Sequence, residues 1–144
     1  MVFAVQTDMA NYWLFKSDPE DYGYNDLVSD GKAVWDGVTN NLALQNLRKI
    51  RKGDAILIYH TGEEKALVGL ATATSDPYPN PKGDHEKLAV IDLKPKKRAK
   101  RPVTLSEIKA LPEFADFQLV KLPRLSVMPV SADEYRRLAE LAGF

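Results

Sequence analysis

Aromatic, amide, hydroxyl and ammonium groups crowd beside turn signals in this chain. Trp35-Asp36-Gly37-Val38 runs into Asn40-Asn41, which sets a large aromatic and two amides just before a helix start. Lys16-Ser17 closes an aromatic strand-like run, Tyr59-His60 closes an apolar one, and Tyr78 stands in a Pro-rich stretch. A nucleobase pocket needs an aromatic that stacks on a ring and polar groups that read the ring's edge. Each residue also has a plain structural reading. Trp35 reads as a core anchor, Asn40 as the N-cap of the following helix, and Lys16 as a surface partner of Asp18 or Glu20. His60 reads as a hydrogen-bonded residue at a strand end, and His85, between Asp84 and Glu86, as a solvated one. The residues alone leave both readings open.

Other chemistries lack their parts. The chain has no cysteine, so it has no disulfide, no thiolate zinc site and no Cys nucleophile. His60 and His85 are its two histidines, too few for a His-rich metal cage. Gly-x-Gly-x-x-Gly, the phosphate-loop motif, Gly-x-Ser-x-Gly and His-Glu-x-x-His are all missing. The expectation is therefore a protein with no nucleotide cofactor and no metal, and nothing here signals a serine hydrolase or a zinc enzyme.

At 144 residues, 44% hydrophobic and 28% charged, the chain has the length and balance of one globular domain with a real core. Lys plus Arg and Asp plus Glu stand at 20 each, which argues against a protein held on duplex DNA by neutralising many phosphates. The charge is nevertheless uneven. Up to Asp30 the one base, Lys16, faces Asp8, Asp18, Glu20, Asp21, Asp26 and Asp30; bases gather at Arg48, Lys49, Arg51 and Lys52 and again at Lys94, Lys96, Lys97, Arg98, Lys100 and Arg101. No apolar run reaches the ~20 residues of a membrane helix, and the first ten residues lack a basic signal-peptide start. A cytoplasmic protein is expected.

The elements that must position these groups follow from pattern. Residues 12–15 read as a strand closed by Ser17-Asp18-Pro19, and 26–28 as a helical turn stopped at Gly31. Residues 41–51 read as a helix with Ala43, Leu47 and Ile50 on one face, basic residues in its last turn, and Gly53 as its left-handed cap. Residues 54–60 and 66–74 read as a hairpin turned at Thr61-Gly62, 76–84 as a loop and 88–94 as a strand. The basic run 94–101 reads as a phosphate contact or as a charged strand edge that discourages pairing. Thr104-Leu105-Ser106-Glu107 and Ser131-Ala132-Asp133-Glu134 are capping-box patterns that open two helices, with 125–130 between them as a final strand. Strands interleaved with short helices give an α+β domain, a small curled sheet or barrel.

An ordered set of motifs then resembles a known family. Tyr12-Trp13-Leu14-Phe15-Lys16-Ser17-Asp18-Pro19, Trp35-Asp36-Gly37-Val38 with Asn40, Gly53-Asp54 and Tyr59-His60 resemble the EVE domain. Val68-Gly69, Asp76-Pro77-Tyr78-Pro79, Pro102-Val103-Thr104-Leu105, and Leu119-Val120 through Arg124-Leu125-Ser126-Val127 to Pro129-Val130 continue the match. It covers nearly the whole chain from Asn11, which leaves 1–10 as a flexible extension, or Met9 as the natural start, before a single domain over 11–144. The closest likeness is to a bacterial branch. Many family members carry Val-Arg-Asn-Tyr-Gln-Ala-Arg-Asn where this chain has Val38-Thr39-Asn40-Asn41-Leu42-Ala43-Leu44-Gln45, so two arginines and a tyrosine are replaced.

The EVE domain belongs to the PUA-like superfamily, which also holds the YTH readers of methylated adenine. The resemblance implies a PUA-like pseudo-barrel of about five to six strands with short peripheral helices. It also implies a non-catalytic pocket for a modified nucleobase in DNA or RNA. Carried onto this chain, Trp35 is an aromatic wall, and Lys16, Ser17 and Asn40 address the base edge. Tyr59, His60, Tyr78, Leu125 and Ser126 are candidates for the opposite wall and rim, and Arg48, Lys49, Lys97, Arg98, Lys100 and Arg101 for flanking phosphates. Two alternatives stay open: a small hydrolase of a modified nucleoside using Lys16 with Glu20 or Thr39, and a small-metabolite or protein-interaction module.

Overall fold

Strand β1 (Tyr12–Ser17) carries Trp13, Leu14 and Phe15, all buried. An unbroken apolar run is what a strand covered on both faces requires. β1 pairs in parallel with β3 (Ala55–His60), setting Lys16 opposite Tyr59 and Ser17 opposite His60. On its other edge it pairs antiparallel with β7 (Val127–Val130). The structure, a computed structural model, describes residues 11–81 and 88–144. The expected extension at 1–10 and the solvated His85 lie outside the described residues.

Around β1 the sheet runs β2-β6-β4-β3-β1-β7, where β2 is Ala33–Trp35, β4 is Ala66–Ala73 and β6 is Ala89–Thr104; β5 (Tyr78–Pro79) joins the start of β6. The sheet curls into a half-barrel with a few short helices against it, the α+β, PUA-like arrangement expected. Two shifts of register between β4 and β6 accompany the curl, and bulges of this kind add twist to a strand pair. Among the described residues the sheet has seven strands, two of which, β2 and β5, are too short to leave a periodic signal in the sequence.

Several local readings are corrected. The strand expected at 88–94 runs on as β6 through the whole basic segment to Thr104. Beyond Leu93, β6 has β4 on one side and no strand on the other among the described residues, so its lysines and arginines reach solvent from an edge. The helix read at 41–51 is Asn41–Lys49, here α3 after α1 (Pro19–Tyr22) and α2 (Tyr24–Asp30). It ends at Ile50 in an extended conformation, and Gly53 with φ +96° instead turns the chain into β3, its N–H donating to the Ala73 carbonyl at 2.8 Å. The β3–β4 hairpin turns over residues 61–65 rather than at Thr61-Gly62 alone.

The two capping boxes diverge. Before α6 (Ala132–Ala142) the box is complete: Ser131 Oγ accepts from the Glu134 N–H and Glu134 Oε1 accepts from the Ser131 N–H. Before α4 (Leu105–Lys109), Thr104 Oγ1 accepts from the Glu107 N–H at 3.2 Å, but the Glu107 carboxylate turns to Arg101 in two 2.8 Å bonds. A guanidinium in bidentate geometry outcompetes a single backbone donor for that carboxylate. Helix α5 (Gln118–Lys121) leads to β7. Among the described residues no helix is long and apolar enough to cross a membrane.

Candidate functional site

The sequence after β1 builds one wall of a cavity. Asp18 caps α1, its Oδ1 accepting from the Glu20 N–H at 2.9 Å, and Pro19 starts the helix where no N–H is needed. Ser17 Oγ donates to the Tyr22 carbonyl, which pins the end of α1 back onto β1. Asp26 accepts from the Gly23 N–H at 2.7 Å at the head of α2, and Gly31, with φ +78°, ends that helix in the left-handed region. The chain then enters β2, held to β6 by the pairs Ala33 with Leu93 and Trp35 with Ile91.

These segments enclose a cavity of about 640 Å³ lined by Lys16, Ser17, Asp18, Asp21, Tyr22, Asp30, Lys32, Ala33, Val34, Trp35, Asp36, Gly37, Val38 and Ser126. Trp35 lines it with 9% of its surface exposed, its ring tilted against Phe15 at 5.4 Å and meeting Tyr22 edge-on at 6.1 Å. It is a packed floor, core residue and cavity lining at once. The Tyr22 phenol donates to Asp30 Oδ2 at 2.7 Å. Burial, then this bond and the charge of Asp30, push the phenol well above its ordinary range.

Lys16 enters from β1, its N–H held by the Ser126 carbonyl at 2.9 Å. Its Nζ donates to the Pro123 carbonyl at 2.7 Å and lies 6.0 Å from the centre of the Tyr59 ring. Burial lowers the ammonium's pKa. One of its three protons is engaged, which leaves donors for a ligand. The lining as a whole carries four carboxylates, Asp18, Asp21, Asp30 and Asp36, against two ammonium groups, Lys16 and Lys32.

Of the expected pocket residues, Lys16, Ser17, Trp35 and Ser126 come together here. The others sit elsewhere. Asn40 caps α3, its Oδ1 accepting from the Ala43 N–H at 3.0 Å, and lines a neighbouring groove. Tyr59 and Leu125 are buried. His60 accepts at Nε2 from the Tyr24 N–H at 2.9 Å, with Nδ1 2.7 Å from Glu64, and so ties the head of α2 to β3. Tyr78 donates to Asp92 at 2.5 Å, which with burial raises its phenol to about 12, and it lines a separate cavity with Arg48 and Arg51. Glu20 and Thr39, named for a hydrolase, do not line the Trp35 cavity.

The expected phosphate contacts are dispersed. Arg48 and Lys49 lie in the last turn of α3. Lys97, Arg98, Lys100 and Arg101 lie on the free edge of β6, where Arg98 covers the Tyr24 ring at 5.2 Å and Arg101 is held by Glu107. None lines the Trp35 cavity. Asp21, Tyr22 and Asp30 are among the lining residues that sequence reasoning missed. The dense acids between positions 18 and 36 were their one trace in the sequence.

Comparison with known proteins places the chain in a family. The EVE domain family model matches residues 11–141. Mouse thymocyte nuclear protein 1 is 28% identical over 162 aligned positions, covering 89% of this chain and 72% of its own length. A Rhodopseudomonas palustris protein solved by NMR is 38% identical with a TM-score of 0.88, over 93% of this chain and 94% of its own. The human THYN1 protein, crystallised in complex with 5-methylcytosine-containing DNA, is 24% identical with a TM-score of 0.86, over 94% and 99%. At that identity it establishes likeness of fold. The family model spans nearly the whole chain, and on that ground the chain belongs to the EVE domain family.

Proposed function

We propose that this chain is a non-catalytic module that binds a modified nucleobase of DNA or RNA in the Trp35 cavity. The observation that carries the reading is the convergence of an aromatic floor, Trp35, with edge-reading groups, Lys16, Ser17 and the Tyr22–Asp30 pair, around about 640 Å³. That volume suits a small ring ligand, since such sites usually run to about 300–1,000 Å³. The human relative's complex with 5-methylcytosine-containing DNA supports the same ligand class.

The excess of carboxylates in the lining favours a neutral base inside and keeps phosphates outside. Stacking on an aromatic contributes about 1–3 kcal/mol per base, whereas burying one added methyl gives ~0.8 kcal/mol, roughly a fourfold preference. Selectivity therefore rests on the edge groups, because a wrong base leaves them buried and unpaired. Extruding the base from a duplex costs a few kcal/mol, least where pairing is already weak.

The test is a fluorescence titration of oligonucleotides that differ in one modified base, against wild type and Trp35→Phe. Wild type is expected to prefer a modified strand, and Trp35→Phe, which keeps a ring in the core, to lose about tenfold in affinity with its circular dichroism unchanged. Equal binding of modified and unmodified strands by wild type ends this reading.

A further inference from the structure

Beside the Trp35 cavity lies a groove of about 350 Å³ lined by Asn40, Leu42, Lys121, Leu122, Pro123 and Arg124. The two spaces adjoin. Pro123 lines the groove and its carbonyl holds the Lys16 ammonium of the cavity, and Leu125 of the groove precedes Ser126 of the cavity. Their charges oppose each other: the cavity has an excess of carboxylates, while the groove has two cations and no acid. Leu42 and Leu122 are 44% and 42% exposed, unusual for large apolar side chains of this chain.

We infer that this groove binds the phosphate and the neighbouring nucleotide on one side of the base held in the Trp35 cavity, an inference that rests on the base-binding reading above. Arg124 is exposed, and its side chain makes no hydrogen bond or ion pair among the described residues. Lys121 is tied to Asp116 at 3.1 Å in a pair exposed on both sides, readily exchanged for a phosphate. Asn40 uses Oδ1 to cap α3, so its Nδ2 remains a donor. Leu42 and Leu122 give the adjoining base an apolar surface to cover. The basic edge of β6, by contrast, lends Arg101 to Glu107 and Arg98 to the Tyr24 ring and lines neither space. Charge complementarity therefore places the strand along residues 121–124.

The experiment is a salt-dependent anisotropy titration of two labelled single strands of one sequence, one of them carrying a single 5-methylcytosine. Wild type, Arg124→Ala and Lys97→Ala are compared. Arg124→Ala is expected to weaken both strands by the same factor, about three- to tenfold, and to lower the salt slope by about 0.7, the share of one phosphate on a single strand. The preference between the two strands is expected to stay, since phosphate contacts carry no base information. Lys97→Ala is expected to change neither quantity. Wild-type affinity and slope in Arg124→Ala, or a loss in Lys97→Ala instead, overturn the inference and leave the base-binding reading standing. Absence of binding by wild type removes both.

Discussion

The Lys16 ammonium donates to the carbonyl of Pro123, 107 positions away in sequence, and by that one bond joins the acidic cavity to the basic groove. Its charge is held at the boundary between a space with an excess of carboxylates and a groove that carries two cations and no acid.

Lys16→Met keeps the length of the stem and removes the donors. Loss of a charge-assisted hydrogen bond is expected to cost about 1.5–3 kcal/mol of binding, roughly ten- to a hundredfold in affinity for a modified strand. A pH series adds a second readout. Burial lowers the Lys16 pKa from 10.5, so the folded protein releases this proton before the unfolded chain does. In the window between the lowered value and 10.5 the unfolded state binds more protons, and the Lys16 contribution to stability rises with pH. Affinity falls across the same window, because the uncharged amine is the weaker donor. Both trends are expected to vanish in Lys16→Met. Flat wild-type affinity up to pH 10.5 contradicts the assignment.

Tyr22 and Asp30 predict a different alkaline behaviour. Burial first, and then the bond to Asp30, keep the phenol protonated above its ordinary value of 10. The protonated form therefore contributes stability that is present below about pH 10 and is lost as pH rises beyond it. Tyr22→Phe is expected to lower stability by about 1 kcal/mol at neutral pH, the net contribution of one hydrogen bond. Asp30→Asn is expected to bring one phenol back toward 10, seen as earlier phenolate absorbance that Tyr22→Phe removes.

Gly69 supplies a test of the fold independent of the site. A Cβ there would lie 2.3 Å from the Tyr24 ring, whose hydroxyl is fixed to the Leu70 carbonyl at 2.7 Å and cannot swing away cheaply. Gly69→Ala is expected to destabilise the protein by about 1–3 kcal/mol or more. Urea denaturation midpoints of the variant and of Gly69→Ala/Tyr24→Leu, which clears the space, check it: the second change is expected to recover part of the loss.

Much of the frame was legible because it is local. Alternating or continuous apolar runs mark β1, β3 and β4, while Ser131 and Glu134 mark the start of α6 through groups only three residues apart. What escaped depends on distant partners. Ala33-Val34-Trp35 has no pattern of its own and becomes a strand because Ile91–Leu93 offers it a ladder. Lys94 to Arg101 reads as a phosphate contact or a charged strand edge, and the strand is there, but its extension to Thr104 depends on β4, which pairs it on one side while the charges face water on the other. Glu107 sits in a perfect capping pattern and goes to Arg101, a choice between two partners that spacing cannot rank. In the cavity, Lys16, Ser17 and Trp35 were legible from residue type, whereas Tyr22 and Asp30 meet only through the bend at Gly23.

The antiparallel seam of β1 with β7 also sets an order of assembly. The hydrogen bonds that hold Lys16 to Ser126 and to Pro123 reach the last quarter of the chain. On a ribosome adding about 5–20 residues per second, β1, α1, α2 and β2 emerge early and wait with one strand edge unpaired until residues 123–130 follow. The Trp35 cavity is thus complete only once β7 has joined β1, and a product cut before β7 is left with an unpaired strand edge in its place.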